Sequence, residues 1–269
     1  MRKRWWIVGV LIVAITAMFG LDLLEEKMLF PAPPLSRSWL AKQAQLQGAE
    51  ELQLTAEDGV KLYGWRLGAI GARRGVVIWF EGNGATVGQR QREFEVLRNE
   101  GWEVVQANYR GYPGSEGRPS EEGLRKDARA VYAVAAAIDP RVAVVGKSLG
   151  GGVAVGLAAE RSLQWLLLES TFASAQRVAT ELWGWPVEHL IHNRFDSLKL
   201  APKVRCPTMV LHGEEDYLIR IPQAEDLSLA LGAPLLRVPG GHNDPLMLQH
   251  WEEVKSWIEK VEAGKIRAR

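Results

Sequence analysis

The sequence is short of several things, and each shortage excludes a class of answer. It holds one cysteine, Cys206, so no internal disulfide forms. Cys206 precedes Pro207 at the head of an apolar run, which reads as a small buried hydrophobe rather than a nucleophile. Charge of one sign is also missing: 33 basic and 32 acidic residues leave a net +1. No broad polyanion-binding surface follows from that balance. Basic runs are absent beyond Arg2-Lys3-Arg4, so nucleic acid is not an expected partner. Neither an internal repeat nor a low-complexity segment is present. What the chain has is 269 residues at 47% hydrophobic composition, enough for one large domain with a well-buried core.

The stretch that organises the chain is Gly146-Lys147-Ser148-Leu149-Gly150. It lies between the β-branched run Arg141 to Val145 and the small-residue run Gly152 to Ala159. A buried strand, a sharp turn and a helix give a G-x-S-x-G nucleophile elbow. The glycines are needed where a Cβ would collide with neighbouring elements. The N–H of Leu149 opens the helix, has no acceptor inside it and is free to bind a developing oxyanion. A phosphate-binding Walker loop needs a further glycine where Arg141 stands, so that alternative fails.

From residue 75 onward, strand and helix patterns alternate at βαβ spacing. Strands are expected over 75–80, 102–107, 141–145, 165–168, 208–211 and 235–238. Helices are expected over 87–99, 120–138, 223–231 and 245–261. Ahead of them, 50–56 and 60–67 flank Asp58-Gly59 as a hairpin. The fold class is therefore α/β, with a mainly parallel central sheet and helices on both faces. An insert at about 171–205 interrupts the alternation and carries Trp183, Trp185, Pro186, His189 and His192. It reads as a lid over the elbow or as a pair of helices packed on the domain, and the two readings are compatible. His189 and His192 at i, i+3 lack an evident third ligand, so no metal is expected.

The leader is a separate matter. Trp5 to Leu21 is 17 residues without a charge, flanked by Arg2-Lys3-Arg4 before and Asp22, Glu25 and Glu26 after. At 1.5 Å per residue this run spans about 25 Å, nearly a bilayer core. The organisation expected is a transmembrane anchor over 1–24, a stalk over 25–49 and a catalytic domain over 50–265. Positive-inside logic places that domain outside the cytoplasm. A cleaved signal peptide is the first rival, weakened by the lack of small residues at a suitable cleavage site, and a soluble amphipathic leader is the second.

A serine nucleophile needs a base, and the base needs an orienting carboxylate. Two loops after later strands supply them: His212-Gly213-Glu214-Glu215-Asp216 and Gly240-Gly241-His242-Asn243-Asp244. Ser148, Asp216 and His242 are the expected triad, with Glu169, Glu214 and Glu215 as rivals for the acid. His212 and His250 read as structural. The second oxyanion donor is expected from Glu81-Gly82-Asn83-Gly84, with the N–H of Asn83 first and that of Gly84 next.

With these residues placed, the segments EGNGATVGQR (81–90), NYRGYPGSEGRPSEEGLRKDA (108–128), VVGKSLGGGVA (144–154), LESTFAS (168–174), MVLHGEEDYLI (209–219) and GGHND (240–244) resemble the membrane-anchored branch of the α/β-hydrolase superfamily. The resemblance covers residues 50–260. It implies hydrolysis of esters or thioesters of lipid-like or acylated substrates, without a cofactor. A serine peptidase and a non-catalytic binding or scaffold protein are the alternatives. Two departures stand out. Glu81 replaces the His that usually opens the oxyanion loop, and Asn108 replaces an Asp before Tyr-Arg-Gly. A bare carboxylate beside an oxyanion would raise the barrier. Glu81 is therefore expected to be paired, with Arg110 as the candidate partner, and turned away from the pocket.

Overall fold

The structure, a computed structural model, describes residues 22–184 and 191–267. Eight strands form one sheet in the order β1-β2-β4-β3-β5-β6-β7-β8. They are β1 Glu50–Thr55, β2 Lys61–Leu67, β3 Gly75–Phe80, β4 Trp102–Ala107, β5 Val142–Lys147, β6 Leu166–Glu169, β7 Thr208–Gly213 and β8 Leu235–Val238. Strands β3 to β8 run parallel, and β2 pairs antiparallel with both β1 and β4.

The reason is visible in the residues. GVVIWF in β3 and VAVVGK in β5 are buried at every position. A strand covered on both faces reads as a continuous apolar run. Two core clusters result, one on each side of the sheet. One of them is braced by Trp165, edge-on to both Trp102 (5.2 Å) and Trp257 (6.2 Å).

The helices are α1 Arg37–Gln47, α2 Gln91–Asn99, α3 Glu121–Ile138, α4 Leu149–Ala158, α5 Ala175–Trp183, α6 Ser197–Leu200, α7 Ile221–Leu231, α8 Leu246–Gln249 and α9 Trp251–Glu262. Ser120 caps α3 by accepting from the N–H of Gly123. The chain leaves β3 in one direction to reach β4, then returns across β3 to β5. Loops after β3 and β5 therefore diverge at the carboxyl edge, where open α/β sheets hold their ligands.

Three sequence expectations change. Helix α2 starts at Gln91 rather than Val87, because Gly88 takes a positive φ of 85° and a Cβ there would meet Trp65 at 2.4 Å. The terminal helix is two helices, broken at His250. The stalk expected over 25–49 is instead packed on the domain. Residues 22–29 are helical, and Phe30, Leu40 and Ala44 are buried. The prolines at 31, 33 and 34 turn the chain onto the surface rather than away from it.

Apart from its last three residues, the expected anchor over 1–24 lies outside the described residues, as do Trp185, Pro186 and His189. Among the described residues no helix is long and apolar enough to cross a membrane.

If α1 belongs to the folding unit, Leu40→Ala destabilises the whole domain by about 2–5 kcal/mol. Urea unfolding followed by tryptophan fluorescence measures it. An unchanged midpoint would mean that α1 rests on the domain without stabilising it.

Candidate active site

The elbow between β5 and α4 forces Ser148 to φ 52° and ψ −119°, a backbone region costly for a side chain. Bare glycines make the turn possible. A Cβ on Gly146 would lie 2.6 Å from the carbonyl oxygen of Gly150, and one on Gly150 would lie 2.1 Å from that of Phe80. Gly151 is as crowded, its absent Cβ falling 2.0 Å from Thr171 Oγ1. The Thr171 hydroxyl donates to the carbonyl of Ser148 at 2.7 Å and holds the turn.

The loops after β7 and β8 reach the same point. Ser148 Oγ and His242 Nε2 are 2.9 Å apart, and His242 Nδ1 and Asp216 Oδ2 are 2.8 Å apart. A carboxylate only accepts, so Nδ1 carries the ring proton and Nε2 is left to accept from the serine. Asp216 Oδ1 accepts from the N–H groups of Leu218 (3.0 Å) and Ile219 (2.8 Å). His212 lies buried behind it, its Nε2 donating to the carbonyl of Ile219 at 2.7 Å. Burial lowers the pKa of His212 and keeps its ring neutral.

Of the rival acids, Glu169 is paired with Lys147. Glu215 accepts from the N–H of Gly240 and braces the histidine loop. Cys206 is buried, and desolvation pushes its thiol up to about 11.

Asn83, Ser148 and Leu149 share a cavity of about 760 Å³. Gly82 carries the β3 loop past Ser148, where a Cβ would sit 3.3 Å from that of the serine. Most of the remaining wall is aliphatic or aromatic, including Phe172, Val178, Leu182, Leu218 and Ile219.

No family model matches the chain. The α/β-hydrolase domain-containing protein WAV2 of Arabidopsis thaliana is 32% identical over 220 residues, covering 72% of this chain and 71% of that one. The chain belongs to the α/β-hydrolase family. An uncharacterized protein of Mycobacterium tuberculosis is 34% identical over 212 residues, or 76% of this chain and 75% of that one. Among solved structures, an α/β-hydrolase from Vibrio vulnificus superposes with a TM-score of 0.71 at 21% identity, over 90% of this chain and 93% of that one. The Pyrococcus furiosus esterase Pf2001 gives 0.69 at 19% identity, over 86% and 98%. At these identities the structures speak for the fold.

In this α/β-hydrolase the unusual Glu81 is buried and paired, but not with Arg110. Its carboxylate accepts from Arg90 Nε at 3.1 and 3.3 Å and from Gln106 Nε2 at 3.3 Å. Burial raises its pKa, against the pull of Arg90 and Lys147. Arg110 is engaged elsewhere, bridging Asp58 and Asp127. The Glu81 carbonyl accepts from Tyr109 Oη at 2.8 Å, which steadies the strand end. Asn108 is structural: its Oδ1 accepts from Thr86 Oγ1 and Val87 N, both at 2.8 Å, and its amide donates to the carbonyl of Pro113.

Among the described residues, Asp22, Glu25 and His192 are the group whose oxygen and nitrogen atoms lie close enough to share a metal. Both Glu25 oxygens are already taken by N–H donors of His192 and Asn193, so the cluster is explained without one.

Sequence reasoning passed over Lys147. Its ammonium is buried, paired with Glu169, and donates to the carbonyl of Asp244 at 2.9 Å. Glu169 Oε2 accepts from the N–H of Met247. Together they tie the elbow to the segment just after His242. The signal was a lysine inside a run that is otherwise wholly apolar.

Lys147→Met strands a buried carboxylate and should cost about 3–5 kcal/mol in urea unfolding. The double variant Lys147→Met with Glu169→Leu should recover most of that loss. Equal losses in both proteins would show that the cost is packing rather than charge.

Proposed function

We propose that this chain is a serine hydrolase that cleaves carboxylic esters or thioesters of lipid-like or acylated substrates through an acyl-enzyme. One observation carries the reading: the relay from Ser148 Oγ through His242 to Asp216, with links of 2.9 and 2.8 Å, opens into a large apolar cavity. In this mechanism Ser148 Oγ attacks the acyl carbon while His242 Nε2 takes the hydroxyl proton. The N–H groups of Leu149 and Asn83 stabilise the oxyanion. His242 returns the proton to the departing alkoxide or thiolate, leaving the acyl group on Ser148. It then deprotonates a water that attacks the ester, and the carboxylic acid departs as Ser148 Oγ regains its proton. Asp216 holds the ring and stabilises its charged form throughout.

Pairing with Arg90 takes up the charge of Glu81, so the oxyanion loop functions without the usual histidine. Anchoring belongs to the same proposal. The uncharged run Trp5 to Leu21 would hold the domain at a membrane on its extracytoplasmic side. A reporter active only in the cytoplasm, fused after Arg269, is then expected to stay silent. Activity of that fusion would reverse the orientation.

Wild-type protein should be labelled by a fluorophosphonate probe, and Ser148→Ala should abolish the labelling without altering the circular dichroism spectrum. His242→Ala and Asp216→Ala should each lower kcat by orders of magnitude toward p-nitrophenyl esters. Wild-type protein that takes no label and hydrolyses no ester would favour the scaffold alternative.

A further inference from the structure

The cavity in front of Ser148 is not built by the sheet-bearing part of the chain alone. Leu24, Glu25, Met28 and Leu29 line it, and all come from the helical stretch 22–29, upstream of a first strand that starts at Glu50. This stretch is fixed in place. Glu25 is buried and accepts from the N–H groups of His192 and Asn193 and from Asn193 Nδ2, at 2.8–3.1 Å. Glu26 pairs with Arg118. Phe30 stands edge-on to Phe195 at 6.3 Å, and Phe195 stands edge-on to Phe172, itself a lining residue. The chain then passes the oxyanion loop, where Pro31 lies 3.6 Å from the space a Gly84 side chain would fill.

The lining decides the chemistry of the occupant. Its polar members are Ser148, Asn83, whose backbone N–H is assigned to the reacting carbonyl, and Glu25, whose carboxylate is spent on the insert. The rest of a substrate therefore meets apolar surface. Helix α5 contributes the small Ala175 and Ala179, which leave room, together with the larger Val178, Leu182 and Trp183. Leu24, Met28 and Leu29 supply part of the bulk that limits this space, beside Phe172, Val178, Leu182 and Trp183.

We infer that residues 22–29 are the specificity wall of this site, and that Met28 with Leu24 and Leu29 sets the length of an unbranched aliphatic acyl chain. The inference rests on Ser148 being the nucleophile, and its test separates the two claims. Each methylene buried in the cavity tightens binding about fourfold, until the chain meets the wall and the gain stops. Met28 is 45% exposed, so its replacement has room.

The full chain carries both measurements. The first is kcat/KM for p-nitrophenyl esters from acetate to dodecanoate, for wild type, Met28→Trp and Met28→Ala. Met28→Trp should bring the plateau to shorter chains and lower the ratio of the longest ester's value to that of acetate about tenfold or more. Met28→Ala should move the plateau to longer chains. The second is calorimetric binding of straight-chain primary alcohols to Ser148→Ala, alone and combined with Met28→Trp. It reads the wall without any chemistry. If no ester is cleaved but the alcohol limit still follows residue 28, the wall stands and the assignment of Ser148 falls. A length limit that ignores residue 28 in both series, or a parallel change on every ester, would overturn the wall.

Discussion

The turn at Ser148 is the constraint on which the site depends. A serine held at φ 52° is a stored cost, and only tight surroundings keep it there. Those surroundings are three glycines without room for a methyl group, and a threonine hydroxyl bonded to the serine carbonyl. The turn also starts α4 at once, with Leu149 as its first residue and part of the cavity lining. The β3 loop passes close to Ser148, where a Cβ on Gly82 would sit 3.3 Å from that of the serine. Each of these is a backbone requirement, met before any side chain takes part in chemistry.

Buried charge then joins the loops to one another. Lys147 with Glu169 links the elbow to the segment after His242, and Arg90 with Glu81 closes the loop after β3. Arg110 with Asp58 and Asp127 locks the loop after β4 to the β1–β2 hairpin and to α3. Such pairs repay little net stability, because desolvation offsets their attraction. Breaking one is costly, so they fix which arrangement of loops is tolerated.

Much of this was legible in the sequence, because buried parallel strands write themselves as continuous apolar runs. Gly75–Phe80, Trp102–Ala107 and Leu235–Val238 fall where the pattern puts them. Local chemistry was legible too, as at Ser120 and at the elbow glycines. Contacts between distant segments were not. Glu81 was given the wrong arginine because the stretch holding Arg90 carries a helical pattern that Gly88 interrupts. The packing of 22–49 was hidden because prolines look the same whether they lead a chain away or press it against a surface. Leu40 and Ala44 share one face of α1 at i, i+4, but Trp39 and Leu46 on the same helix are exposed, so the apolar pattern does not single that face out.

The carboxylate of Asp216 does two things at once. One oxygen meets the His242 ring, while the other gathers the N–H groups of Leu218 and Ile219, two residues whose side chains form part of the cavity wall. The His242 ring and the backbone at 218 and 219 thus hang on opposite sides of a single group. An amide at this position would not be a clean probe of imidazole orientation, since its nitrogen could turn toward two backbone donors and push the wall out of shape. This acid is pleiotropic, and drift in pocket shape at 218 and 219 is held in check by the same atom pair that keeps the histidine aligned.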